Sequence, residues 1–184
     1  RRSGKLVVIT DNNAHCYYTY RDKAMGFEYD LARALADRLD VALEVITPGW
    51  DGLFPALEKG QGDFVAASLT ITEARRKRVD FSDPYLPIQQ HIIVHRDNRS
   101  VQEIGDLHGR QIHVRRGSSY HERLRQLKEE GIAADIVVHS NVPTEEFIRQ
   151  VAEKDIALTV ADSNVAMLNR RYYPAVRIGF PIAP

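Results

Sequence analysis

The stretch Ser68–Tyr85, SLTITEARRKRVDFSDPY, decides how the chain is read. It leaves a predicted strand, DFVAAS, and enters a helix start. Alternate residues of an extended chain share a side, so Ser68, Thr70 and Thr72 are expected together on one side of the strand end. That side is too polar for a core and suits a small polar ligand. Thr72 is also placed to cap a helix, with Glu73 in the first turn where the helix dipole favours an acid. Four consecutive basic residues follow, Arg75 to Arg78. One helix start cannot aim four adjacent side chains at one point. Arg76, Lys77 and Arg78 are therefore read as a solvated face. On spacing alone Arg75 is open to both readings, solvated or ligand-holding.

Outward from this stretch, strand and helix patterns alternate, which predicts an α/β protein with largely parallel sheets. On the N-terminal side, KLVVIT reads as a buried strand. DLARALADRL reads as a helix, with Leu31, Leu35 and Leu39 at helical spacing and Ala32 and Ala36 beside them. VALEVI is the next strand, and LFPALEKG a short helix closed by Gly60. The prolines between Pro84 and Pro87 read as a domain crossing. Beyond it, HIIVH, QIHV, DIVV, IALTV and AVRIGF read as strands. SSYHERLRQLKEEG, PTEEFIRQVAEK and SNVAMLNRR read as helices, the second with Thr144 as its N-cap after Pro143. The expected organisation is residues 1–87 as a first lobe, 88–178 as a second, and 179–184 as the start of a return crossing. No repeat at solenoid spacing and no low-complexity segment interrupts it.

Composition excludes several classes. Among 184 residues, 25 are basic and 25 acidic, so nothing electrostatic argues for nucleic acid or an anionic membrane. The chain is 43% hydrophobic and 27% charged, as ordinary globular proteins are. No apolar run approaches the roughly 20 residues of a membrane helix. The single cysteine, Cys16, excludes an internal disulfide and any multi-cysteine metal site, and reads as a small apolar packing residue. His91 and His95 lie far apart if their segment is a strand, so no metal is expected there. No cofactor is expected either.

The residues that carry chemistry sit at strand ends and helix starts, where two lobes would leave a cleft. The first lobe offers Ser68, Thr70 and Arg75. The second offers RRGSSYHE, a glycine turn opening a helix with Ser118 and Ser119 at its start, and TVADSNVA, with Asp162 just beyond a buried strand. Amide groups at that helix start favour an anion. An arginine such as Arg75 clamps a carboxylate through two parallel hydrogen bonds, and Asp162 suits an ammonium. Together these residue types describe a site for a zwitterion. Ser118 and Ser119 are equally plain as N-cap residues, and Trp50 as partial core.

GFEYDLARALADRL, WDGLFPALEKGQGDFVAASLTITEARRKRVDFSDPY and ADSNVA resemble the family 3 extracellular solute-binding proteins, which bind polar amino acids in the periplasm. The resemblance runs in order along nearly the entire chain. It implies a two-lobed, type II periplasmic-binding-protein fold with hinge crossings, the first lobe cut short at its C-terminus. By the same resemblance Arg75 grips the ligand carboxylate, Ser68, Thr70 and Ser119 assist, Asp162 takes the amino group and Trp50 lines the cleft. The aromatic ring that the family stacks on its ligand is replaced by Ala14, with Tyr17 and Tyr18 nearby as substitutes. The missing wall implies room for a larger substituent, so that a peptide bearing a zwitterion is expected to bind better than a single amino acid. Ala74 stands where the family usually has Glu.

A narrower resemblance, carried by NNAHCYYTYRDKAMGFEYDLA and ADSNVAMLNRRYYPAVRIGFPI, is to the non-catalytic, solute-binding-like domain of the membrane-bound lytic transglycosylase F family. It implies a regulatory module without enzymatic activity of its own. The implied ligand is an amino acid or muropeptide, and the implied partner an attached catalytic domain or a transporter. The implied location is the periplasm, tethered to the outer membrane through a longer protein. Two rivals remain: a cyclohexadienyl-dehydratase-like enzyme on the same scaffold, for which no second acid or base is found beside Asp162, and the sensor domain of a kinase.

Overall fold

The structure, a computed structural model, describes residues 4–183. Arg1 to Ser3 of the expected first lobe and Pro184 of the expected return crossing lie outside the described residues. The chain divides into two compact units, Arg1–Thr70 and Ile71–Pro184. The boundary falls at the start of the Thr72-capped helix, ahead of the Pro84–Pro87 segment where the sequence places the crossing.

The first unit is built on three parallel strands in the order β4-β1-β5, namely β1 (Lys5–Ile9), β4 (Ala42–Ile46) and β5 (Phe64–Val65). Helix α1 (Phe27–Leu39) and the short α2 (Leu53–Glu58) accompany them. The core gathers Ile9, Cys16, Leu53, Ala56 and Ala67, with Trp50 and Val65 packed against it. Gly60 follows α2 in the left-handed region at φ 66°, as a C-terminal stop should.

Three features of this unit go beyond the sequence reading or depart from it. A hairpin of β2 (Tyr18–Tyr20) and β3 (Lys23–Met25) was not anticipated. Its turn residues, Arg21 and Asp22, both have positive φ, the geometry usually signalled by Asn-Gly. On α1 the Leu31, Leu35 and Leu39 line and the Ala32 and Ala36 line are both at helical spacing in sequence, and the structure decides which of them packs inward. Those leucines are exposed, while Glu28, Ala32 and Ala36 are buried. The small residues let the helix lie close to its sheet. Lastly, β5 ends at Val65, and Ser68 takes a left-handed φ of 48°. Ser68, Thr70 and Thr72 therefore do not alternate along one strand.

The second unit carries a five-stranded sheet in the order β10-β6-β9-β7-β8. Its strands are β6 (Gln90–His95), β7 (Gln111–Arg115), β8 (Asp135–His139), β9 (Leu158–Asp162) and β10 (Val176–Ala183). The sheet is mixed: β6 runs antiparallel to its two neighbours, β9 and β10, and so against the other four strands, while the β7–β8 and β7–β9 ladders are parallel. The segment from 179 onward, expected to begin a return crossing, continues β10 along β6 as far as Ala183.

Alternation along the central strands assigns the faces. Ile92, Val94, Leu158 and Val160 pack with Tyr120, Leu124 and Leu127 of helix α4 (Ser119–Glu129). Ile93 and Ala161 pack on the opposite face with Ile148 and Val151 of α5 (Thr144–Glu153) and Ala166 of α6 (Ser163–Arg170). Ile92, Ile93 and Val94 are all fully buried, each contributing roughly 1.5–3 kcal/mol over exposure. Pro143, not Thr144, occupies the cap position of α5, and no side chain caps it. No described helix is long and apolar enough to cross a membrane.

Candidate functional site

The second unit begins with a single helical turn, α3 (Glu73–Arg76), whose start Thr72 caps by accepting the Arg75 amide at 3.3 Å. The cap fixes the turn so that Arg75 points inward, with 7% exposure, while Arg76, Lys77 and Arg78 lie in solvent. Arg75 Nη2 donates to the Gly117 carbonyl at 3.0 Å. Burial lowers the guanidinium's pKa, and Glu122, Tyr120 and Asp162 act against that. The charge is retained, because arginine is not deprotonated in proteins.

Gly117 occupies the turn ahead of α4 at φ 66°. Ser118 then caps α4: its hydroxyl accepts the His121 amide at 3.2 Å and donates to the Arg115 carbonyl at 2.8 Å. Ser118 thus has a structural task in full. Ser119 follows as the first helical residue, 6% exposed.

Asp162 closes β9 and stands at the N-cap position of α6, yet its side chain makes no cap hydrogen bond. It turns instead to Tyr120, whose hydroxyl donates to Asp162 Oδ2 at 3.0 Å and accepts the Asp162 amide at 3.3 Å. Asp162 Oδ1 is buried and has no partner among the described residues. Burial pushes the carboxyl up to about 6, against the Tyr120 hydrogen bond and the Arg75 charge, which pull it down. Burial likewise raises the Tyr120 phenol well above its usual value. An arginine and an aspartate of opposite charge are thus buried within one unit, each within electrostatic reach of the other.

The first unit holds the other expected contacts. The Ser68 amide and hydroxyl both donate to Glu28 Oε1, at 3.0 and 2.6 Å. Glu28 is 2% exposed and projects from the first turn of α1. Its grip accounts for the left-handed backbone of a serine, a conformation that a non-glycine residue adopts only when its surroundings hold it. Thr70 is half-buried. Trp50 opens a 3-10 turn and packs against the unit's core, in keeping with its reading as partial core. Tyr17 packs against the Tyr29 ring at 5.6 Å, and Tyr18 belongs to the β2 strand; Ala14 is exposed. Cys16 is buried, and that burial pushes its thiol up to about 12, which disfavours the nucleophilic thiolate. His91 Nδ1 lies 2.8 Å from the Gly179 carbonyl, and His95 pairs with Asp97 at the other end of the strand.

Two residues of this arrangement escaped the sequence reading. Glu28 looks like a solvated first-turn acid, but it shares the four-residue spacing of Ala32 and Ala36, the helix's buried line. Tyr120 falls on the same helical face as Leu124 and Leu127, and that spacing marks it as a buried residue whose hydroxyl needs a partner.

Comparison with known proteins agrees with this architecture. Residues 6–174 match the family of bacterial extracellular solute-binding proteins, family 3. The membrane-bound lytic murein transglycosylase F of Desulfosudis oleivorans is 54% identical over 99% of this chain, which covers 40% of that protein. The chain spans about two fifths of the length of the curated relatives it matches. Among solved structures, an ancestral arginine-binding protein bound to arginine superposes with a TM-score of 0.85 at 31% identity, covering 98% of this chain and 80% of the other. An ancestral arginine-binding protein bound to glutamine gives 0.83 at 31% identity, covering 100% of this chain and 82% of the other. Both units are thus accounted for by a two-lobed, type II solute-binding architecture, and the chain belongs to the bacterial extracellular solute-binding proteins, family 3.

Proposed function

We propose that this module binds a zwitterionic ligand, an amino acid or a cell-wall peptide that carries one, as the periplasmic regulatory part of a lytic transglycosylase. The observation that carries the reading is the pair of buried opposite charges in the second unit, Arg75 and Asp162. Two charges are rarely withdrawn from water without a task, because desolvation costs several kcal/mol per ion. Arg75 takes the ligand carboxylate and Asp162 the ammonium. Ser119 supplies an assisting hydrogen bond, and Ser118 shapes the helix start. The solved relatives bound to arginine and glutamine support a free amino acid. The similarity to lytic transglycosylases F supports a muropeptide and an attached catalytic domain, and through that domain a membrane tether. A transporter is the alternative partner.

A thermal-shift screen of the twenty amino acids and purified muropeptides tests the ligand class, followed by calorimetry of the best binder. By the family resemblance Ala14 takes the place of a stacking ring, and its small side chain offers less contact to a small ligand. Muropeptides are therefore expected to stabilise the protein more than any single amino acid. Arg75→Ala is expected to weaken a carboxylate ligand by about 10–100-fold, the worth of a charge-assisted hydrogen bond. Unchanged affinity would remove Arg75 from the site.

A further inference from the structure

Gln90 opens β6 and is only 4% exposed. The ladder places it directly opposite Asp162 on β9, and the next rung is closed by the Ser163 amide donating to the Gln89 carbonyl at 2.8 Å. Opposite residues of an antiparallel pair project to one face with Cβ atoms about 4.5–5.5 Å apart. That face is the one covered by α4: Ile92 and Val94 continue it from Gln90, Val160 and Leu158 from Asp162, all packed with Tyr120 and Leu124. Gln90 and Asp162 are therefore the polar end of an otherwise apolar layer.

Both carry a bare oxygen. Gln90 Oε1 and Asp162 Oδ1 are buried with no hydrogen-bond partner among the described residues. A buried acceptor left unpaired costs free energy comparable to a lost hydrogen bond. Two acceptors side by side also repel one another unless a donor with at least two hydrogens satisfies both. The carboxylate selects a cation as that donor. A guanidinium would prefer both oxygens of one carboxylate, but the Tyr120 hydroxyl already occupies Oδ2. An ammonium, with three hydrogens directed tetrahedrally, serves two separate acceptors.

We propose that Gln90 is a specificity-determining residue of the site: Gln90 Oε1 and Asp162 Oδ1 together receive the ammonium group of the ligand. Asp162 supplies the charge. Gln90 supplies a second, directional acceptor that demands an N–H and so rejects fully alkylated amines. The inference rests on the zwitterion reading above, and its test separates the two.

The first measurement needs no ligand. Carboxyl-carbon NMR follows the Asp162 titration in the wild-type chain and in Gln90→Met, which keeps the side-chain volume. An oxygen facing Asp162 favours the protonated carboxyl, which can donate to it, so Gln90→Met is expected to lower the Asp162 pKa by about half a unit to one unit. A rise or no change overturns the proposal, because it shows the amide NH2 turned to Asp162 or the side chain directed elsewhere. The second measurement is calorimetry with L-arginine and with 5-guanidinopentanoate, which lacks the α-amino group. Gln90→Met is expected to weaken L-arginine about tenfold or more and the desamino compound hardly at all. Equal losses overturn the proposal. If wild-type protein binds neither L-arginine nor L-glutamine, the free-amino-acid version of the ligand reading fails, and the NMR titration still decides the role of Gln90.

Discussion

Replacing Asp162 with asparagine should make the ligand-free protein more stable at neutral pH while removing its binding of ammonium ligands. The carboxyl ordinarily titrates at 3.8 and is raised to about 6 in the fold, with burial as the dominant cause. Below about pH 4 it holds its proton in folded and unfolded chains alike. Between the two values the unfolded chain gives up a proton that the folded chain keeps, so rising pH progressively favours the unfolded chain. Above about pH 6 the folded carboxyl ionises as well, and the loss levels off at the full cost of holding a charge in a buried site. The rise from 3.8 to about 6 corresponds to about 3 kcal/mol. Asparagine carries no charge at any pH and can still accept the Tyr120 hydroxyl. Urea unfolding of both proteins, followed by circular dichroism from pH 4 to 7.5, reads the difference. The asparagine variant should gain about 2–3 kcal/mol relative to wild type across that range, mostly between pH 4 and 6.5. A stability difference that does not vary with pH would refute the account, since it would mean that Asp162 is ionised in the fold at no cost.

Two further substitutions probe the first unit. Glu28→Ala removes the acceptor of both the Ser68 amide and hydroxyl, and should cost about 1–3 kcal/mol for each buried donor left unpaired; chemical denaturation measures it, and Glu28→Gln, which keeps one acceptor oxygen, should recover part of the loss. Gly26→Ala should destabilise more severely, because a Cβ there would lie 2.2 Å from the Cys16 carbonyl oxygen on a backbone with φ of 139°. A melting temperature within about 2 °C of wild type would show that the chain shifts freely at that point.

Much of the architecture is legible in the residue order because it depends on local physics. The alternation of apolar strands with capped helices follows from periodicity and turn chemistry, and Thr72 caps α3 just as its hydroxyl and spacing require. The difference between Arg75 and its basic neighbours is legible too, since a capped turn can bury only one of four adjacent side chains. What periodicity cannot supply is which side of an element finds a partner. The Leu31, Leu35 and Leu39 stripe and the Glu28, Ala32 and Ala36 stripe are equally regular in sequence, and only packing against the sheet shows that the alanine line faces inward. Strand direction is likewise invisible locally, so the antiparallel placement of β6 emerges only with the assembled sheet. The same holds for the pairs that give the site its chemistry. Glu28 and Ser68 stand 40 residues apart, and Tyr120 and Asp162 stand 42. A single chain records its charges and hydroxyls in order. Only the tertiary structure decides which of them are withdrawn from water together, and burial in company gives a carboxyl such as Asp162 a proton affinity that its own residue type does not have.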